Sequence, residues 1–283
     1  MSVMMRGVKV RCGPPGAEGR EFGNDPGKPG HYVDFTSSAR DSGTPAECSL
    51  TIMNLTDESI SMFEDSKNKC TVRVGHVDSG LSTLFQGNPD PKTLTVVRSG
   101  GDWATQVTIR DGGRAMDLSR LDISFQQGTS GDQVLDEIIK ATGLGRGQIE
   151  LGRIDFPRRF IYNGAARQAL DMLVSTSATQ GRSALRWFVR DGNLYILPKT
   201  TGTREQAVVY SARLGTLVGA PTATDGRGVQ FTGVLVDTTL RVGRVVKLES
   251  RRFTGLYKAV SVGFRGSNYG QDFYVDVKAV PYK

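Results

Sequence analysis

Apolar and polar positions alternate through most of the first ~125 residues. VKVRC sets Val8, Val10 and Cys12 on one face with basic residues between them. CSLTIMNL does the same with Cys48, Leu50 and Ile52, TVRVGHV with Val72 and Val74, and TQVTI with Val107 and Ile109. A period of two over four to eight residues predicts half-buried strands. Between the first two strands lies GPPGAEGREFGNDPGKPGH, from Gly13 to His31. Its Gly and Pro content predicts a long exposed loop without a regular element, open to ordering against a neighbour.

The period then changes. Ser130-Gly131-Asp132-Gln133 has the form of a capping box. Val134, Leu135, Ile138 and Ile139 follow as the apolar face of a helix that Gly143 stops. A second helix is expected from near Asn163, with Ala166, Ala169, Leu170, Leu173 and Val174 as its buried face. In LRWFVRDGNLYILP, Asp191-Gly192 separates two apolar, aromatic-rich runs, a strong hairpin signal. Residues ~129–200 therefore predict a small α/β module of two helices and a hairpin. Strands return in the last ~75 residues. VQFTGVLV, RVVKLES, AVSVGF and DFYVDVKAV alternate residues such as Val262, Phe264, Val275 and Val277 with polar ones. Four or more antiparallel strands with short turns fit a small barrel, because closure removes exposed edges.

Composition adds limits more than identity. A chain of 283 residues makes two domains, or three small ones. Its 35 glycines are spread along the chain, so they punctuate turns and do not form a linker. The net charge of +7 comes from scattered Lys and Arg, densest at Arg158-Arg159 and Arg251-Arg252. Without a basic run, a solvated basic surface is favoured over nucleic-acid binding. Cys12, Cys48 and Cys70 are odd in number and form no CxxC, so neither a disulfide framework nor a zinc site is expected. A reducing compartment of synthesis fits that reading, with Cys48 a small buried hydrophobe. No signal-peptide core and no membrane-length apolar run occur, so a soluble chain without membrane insertion or a cleaved signal is expected.

Candidate chemistry is sparse. His31 lies in or beside the Gly/Pro segment and His76 near the end of a strand, and neither belongs to a recognisable triad. GLGRG, Gly143–Gly147, follows a helix and matches no phosphate-loop pattern, so it reads as a helix cap and turn. Asp132, Asp136 and Glu137 sit where a helix start attracts acids, and Asp155 precedes Phe156-Pro157. A carboxylate pair for glycoside hydrolysis would have to come from these. Trp103 and Trp187 read as core or interface anchors, and a stacking role on carbohydrate is the alternative for Trp187. No catalytic residue, cofactor or metal is assigned.

An ordered set of segments carries a resemblance. LDISFQQGTSGDQVLDEIIKATGL, YNGAARQALDMLVSTSATQGRSALRWFVRDGNLYILP, LGTLVGAPTATDGRGVQFTGVLVDTTLRVGRVVKLES and GLYKAVSVGFRGSNYGQDFYVDVKAV resemble, in order and spacing, the baseplate hub family of contractile-tailed bacteriophages. HYVDFTSS, CSLTIMNLTDES, TVRVGHVDSGLSTLFQGN and TIRDGG follow the hub's first barrel more loosely. The resemblance covers residues ~120–283 well and ~30–115 moderately; the Gly/Pro segment after Cys12 has no counterpart.

The resemblance implies a β-rich α+β chain with two tail-tube-like antiparallel β-barrels and the small α/β module between them. The expected division is 1–127 for the first barrel with its long 13–31 loop, 128–205 for the module and 206–283 for the second barrel. Three chains would make a homotrimeric, pseudo-sixfold ring joining a tail tube or tube-initiator protein to the central spike, within a virion assembled from protein made in the host cytoplasm. Other baseplate proteins would adjoin it, and DNA would only pass through. The absence of a spike segment after Lys283 favours a separate hub over a fused secretion spike. Pro14, Pro15, Phe22, Pro26 and Pro29, with Leu217, Val218 and Pro221, are the expected subunit contacts. Two rivals stand beside this reading. One is a tail-associated peptidoglycan hydrolase; the other is a binding module for glycan or nucleic acid.

Overall fold

Each stretch with a period of two forms a strand. The computed structural model describes residues 6–156, 158–179, 184–235 and 237–282, without the side chains of residues 113, 114, 117, 178, 179 and 226. The first part contains β1 (Arg6–Gly13), β2 (Arg20–Gly23), β3 (Val33–Arg40), β4 (Ala46–Met53), α1 (Asp57–Glu64), β5 (Lys69–His76), β6 (Gly80–Ser99) and β7 (Asp102–Asp111). The middle holds α2 (Gly113–Leu118), β8 (Arg120–Phe125), α3 (Gly131–Thr142), β9 (Gly145–Ile149), β10 (Phe160–Ala165), α4 (Ala166–Thr179), β11 (Leu185–Arg190) and β12 (Asn193–Pro198). The last part contains β13 (Val208–Ser211), β14 (Leu217–Thr224), β15 (Gly228–Val234), β16 (Val245–Glu249), β17 (Thr254–Ser267) and β18 (Phe273–Pro281).

Among the described residues, thirteen strands form one sheet. Its order is β14-β15-β18-β17-β3-β4-β7-β6-β5-β1-β2, with β16 also on β17 and β13 on β16. The joint is β17 against β3, antiparallel from Ser261 opposite Arg40 to Ser267 opposite Asp34. The first and last thirds of the chain are therefore one hydrogen-bonded body with a shared apolar interior. Val10, Phe35, Ile52, Val72 and Ile109 belong to the same cluster as Val229, Leu248, Val262 and Val275.

The middle segment has its own core. Val134, Leu135 and Ile138 of α3 meet Ala169, Leu170 and Leu173 of α4, together with Trp187 and Ile196 of the β11–β12 hairpin. Met116 and Leu121, from α2 and β8, also enter it. The capping box forms: Ser130 Oγ accepts from Gln133 N, and the Gln133 side chain accepts from Ser130 N. Gly143 closes α3 at φ 66°. Asp191 and Gly192 both take positive φ, 51° and 74°, as a two-residue hairpin turn requires.

The structure corrects four expectations. Asn163 starts no helix; Phe160–Ala165 pair with β8 as a strand, and α4 begins only at Ala166. Two short helices, α1 and α2, interrupt a region read as strands and loops. The Gly13–His31 segment holds a regular strand, β2, paired with β1 from Lys9–Gly23 to Cys12–Arg20. Cys12 and Cys70 are joined by a disulfide, because the β1–β5 register sets them opposite each other with Cα atoms 4.2 Å apart. Cys48 remains a free, buried thiol, as its alternation predicts, and burial raises its pKa.

Candidate interaction surfaces

The segment from Gly13 to His31 divides into an exposed tip and an anchored stem. At the tip, Pro14 and Pro15 are exposed, and the turn is held by Ala17 N donating to Pro14 O (3.2 Å). Phe22 is core, not surface: it is 4% exposed and its ring lies 5.8 Å from Phe63 and edge-on to His31. Pro26 is half-buried and packed so closely on Gly7 that a Cβ there would meet its ring at 2.5 Å. Pro29 is exposed.

Two buried asparagines organise the stem. Asn24 Oδ1 accepts from Val8 N (3.1 Å), and Asn24 Nδ2 donates to the backbone oxygens of Arg6, Asp25 and Lys28 (3.1 Å each). Asn268 Nδ2 donates to Asn24 Oδ1 (3.0 Å) and His31 O (2.7 Å), while Asn268 Oδ1 accepts from Val33 N (2.9 Å). An amide can satisfy several orphan backbone groups at once, which is how the Gly/Pro-rich stretch after β2 is fixed where the β1–β2 ladder ends. Lys9 adds an ion pair to Asp25 at 2.7 Å, which lowers the Asp25 pKa.

The second expected contact lies on a strand. Leu217, Val218 and Pro221 lie on β14, whose register with β15 breaks between Val218 and Thr222, around Gly219 at φ 70°. Thr216 N donates to Ser211 O (3.1 Å) and Thr216 O accepts from Val234 N (3.0 Å), so the start of β14 is tied to both β13 and β15. Val218 is exposed, Leu217 half-buried and Pro221 buried. The two expected contact regions end up at opposite ends of the strand order, at β2 and at β14.

One surface escaped the sequence reading. The distal half of the β6–β7 hairpin exposes Val96 (42%), Val97 (43%) and Trp103 (54%). Trp103 is thus no core anchor, whereas Trp187 is buried and its Nε1 donates to Asp171 (2.7 Å). The signal was the pair Val96-Val97, which breaks the alternation and so puts an apolar side chain on each face.

The residues weighed for catalysis do not converge. His31 is exposed, while His76 packs edge-on to Phe273 at 5.2 Å and burial lowers its pKa. Asp136 pairs with Arg146 (2.9 Å), Glu137 with Lys140 (3.9 Å) and Asp155 with Arg153 (2.9 Å). GLGRG is the cap of α3 followed by β9, as expected of a cap and turn. Among the described residues, no group of three or more His, Cys, Asp or Glu could hold a metal ion. Among the same residues, no helix is long and apolar enough to cross a membrane.

No family model matches the chain, and no curated protein matches it in sequence. Solved structures do. The 43 kDa tail protein of prophage MuSo2 from Shewanella oneidensis superposes with a TM-score of 0.64 at 12% identity, over 98% of each chain. The chain has the fold of a phage tail protein. The tail protein from Neisseria meningitidis MC58 matches at 0.57 and 14% identity, over 97% of this chain and 96% of that one. The E. coli c3393 protein matches at 0.62 and 11% identity, over 96% of this chain and 77% of that one. That protein is described as a type VI secretion component similar to the T4 tail proteins gp27 and gp5. The tail-protein fold thus bears out the resemblance read from the ordered segments.

Proposed function

We propose that this tail-fold chain is a structural baseplate hub, a component of a phage virion. The observation that carries the reading is end-to-end agreement with a prophage tail protein, 98% of each chain, including the middle module. In this reading the hub is a homotrimer between the central spike and the tail tube or its initiator, in contact with other baseplate proteins. It surrounds a channel through which DNA passes. The strands β1–β7 supply one tube-like barrel, α2 to β12 the module and β13–β18 the second barrel; the expected boundary at 127 moves back because Met116 and Leu121 belong to the module's core and β8 pairs with β10. The β3–β17 pairing supports this, because it joins the two strand-rich parts of one chain side by side as neighbours in a ring would be. Pro14, Pro15, Pro29 and Val218 are the proposed contact residues left at the surface; Phe22 and Pro221 are withdrawn as buried. The test is the mass of the purified chain in solution, alone and mixed with the spike protein of its own tail. A trimer, or a three-to-three complex with the spike, is expected. A monomer that ignores the spike would sink the reading.

A further inference from the structure

The module and the large sheet meet around an open cleft of about 520 Å³, lined in part by Asp41, Gly43, Arg186, Trp187, Lys199 and Lys258. Two of its cations are deeply placed: Arg186 is 5% exposed and Lys258 2%. Arg186 pairs with Asp41 through Nη1 and donates to Thr201 O through Nη2 (2.8 Å). Its Nε is buried and has no hydrogen-bond partner among the described residues. Lys258 Nζ donates to Lys199 O and stands 4.0 Å from Asp41. Asp41 thus serves two buried cations. The other lining acid, Asp171, is occupied by Trp187 Nε1. Among the described residues, lining cations (Arg186, Lys199, Lys258) exceed lining carboxylates (Asp41, Asp171) by one.

A buried cation short of a counter-charge is costly, and a buried donor without an acceptor adds to that cost. We propose that this cleft is a binding site for a carboxylate. Its head would face the Lys258 and Arg186 side chains, and its apolar body would rest on Val174, Leu185, Val260 and Val280, which line the same cleft. The volume lies within the range of small-ligand sites. A single excess charge suits a monoanion better than a phosphate group. Lys258 is consistent with an unneutralised site: burial, then Arg186, pushes its pKa down to about 8 against the pull of Asp41. The carboxylate could come from a free acid or from a peptide terminus, since the recognising chemistry is the same. The inference does not depend on the hub reading.

Trp187 lines the cleft and is one of only two tryptophans, so it can report on it. The full chain carrying Trp103→Phe is titrated with sodium 3-phenylpropionate, with a short peptide bearing a free C-terminus and with the same peptide amidated. Sodium chloride holds the ionic strength. Saturable change of Trp187 emission and a raised Tm are expected with phenylpropionate, and neither with chloride or the amide. A response to the free-terminus peptide as well assigns the site to a peptide terminus; a response to phenylpropionate alone assigns it to a free acid. Lys258→Met should abolish binding. Asp41→Asn, which removes the competing carboxylate, should tighten it several-fold. Emission and Tm that follow ionic strength alone, identically for phenylpropionate and chloride in the Trp103→Phe and Asp41→Asn chains, would overturn the proposal.

Discussion

Asp111, at the end of β7, is buried, and its carboxylate accepts from Asp191 N (2.5 Å) and Gly192 N (3.0 Å). Burial, which outweighs those hydrogen bonds, and the nearby Asp191 lift its pKa from 3.8 to about 6. A raised carboxylate favours folding in its protonated form. Its stabilising contribution is therefore full below pH 3.8 and is lost as the pH climbs through 6. At about 1.4 kcal/mol per unit the swing is about 3 kcal/mol. Asp111→Asn should flatten the dependence of stability on pH between about 4 and 6.5, read from urea midpoints across that range. An unchanged slope would place the titration elsewhere. At Phe22, truncation to Ala should destabilise the chain by about 3–5 kcal/mol, as for a core aromatic, measured by the same unfolding curves. A loss under 1 kcal/mol would return it to the surface. Neither role was legible in the sequence. Phe22 lies among Gly, Asp and Pro, which mark a loop wherever no distant partner is known, and Asp111 is defined by a turn 80 residues away. Cys12 and Cys70 were missed likewise: their pairing is a fact of strand register, and spacing carries no register.

At the level of elements, legibility followed the number of signals that agreed. For α3, cap, apolar face and terminal Gly all pointed one way, and the helix is where they put it. Ser130→Ala should cost about 1 kcal/mol by removing the cap, measured as a loss of urea-unfolding free energy. For α1 the signals were too few: eight residues, capped by Thr56, bury only Ser59 and Phe63. The β10–α4 boundary was blurred because Phe160 and Tyr162 alternate like a strand while Ala166 to Leu173 already repeat like a helix. The hairpin β11–β12 was legible from Asp191-Gly192, but its seat was not. Gly112 sits at φ 66°, and a Cβ there would come within 2.5 Å of Val189. Gly112→Ala should therefore cost about 1–3 kcal/mol, by overpacking against β11 and by left-handed strain. A stability equal to that of the parent chain in thermal unfolding would show that the seat yields freely.

For the molecule as a whole, the resemblance gave the tail fold, while the strand order came only from the coordinates. The 13–31 segment shows why this matters for experiment. Excising it whole would remove Phe22 and Asn24 from the interior and unfold the chain, whatever its role in assembly. Replacing only residues 14–18 with a short linker spares both. On the hub proposal, that change should leave circular dichroism and Tm unaltered while preventing the proposed trimer, as read by solution mass; normal assembly would remove the tip from the proposed contact surface. The seam between β3 and β17 bears on how the chain is made. Asp34 must wait for Ser267, so the open edge of β3 emerges from the ribosome more than two hundred residues ahead of its partner. Until β17 arrives, that edge can template pairing with any other nascent chain. Messages cut short before codon 254 should therefore yield aggregates instead of a soluble half, and the order of synthesis becomes a condition for reaching the fold.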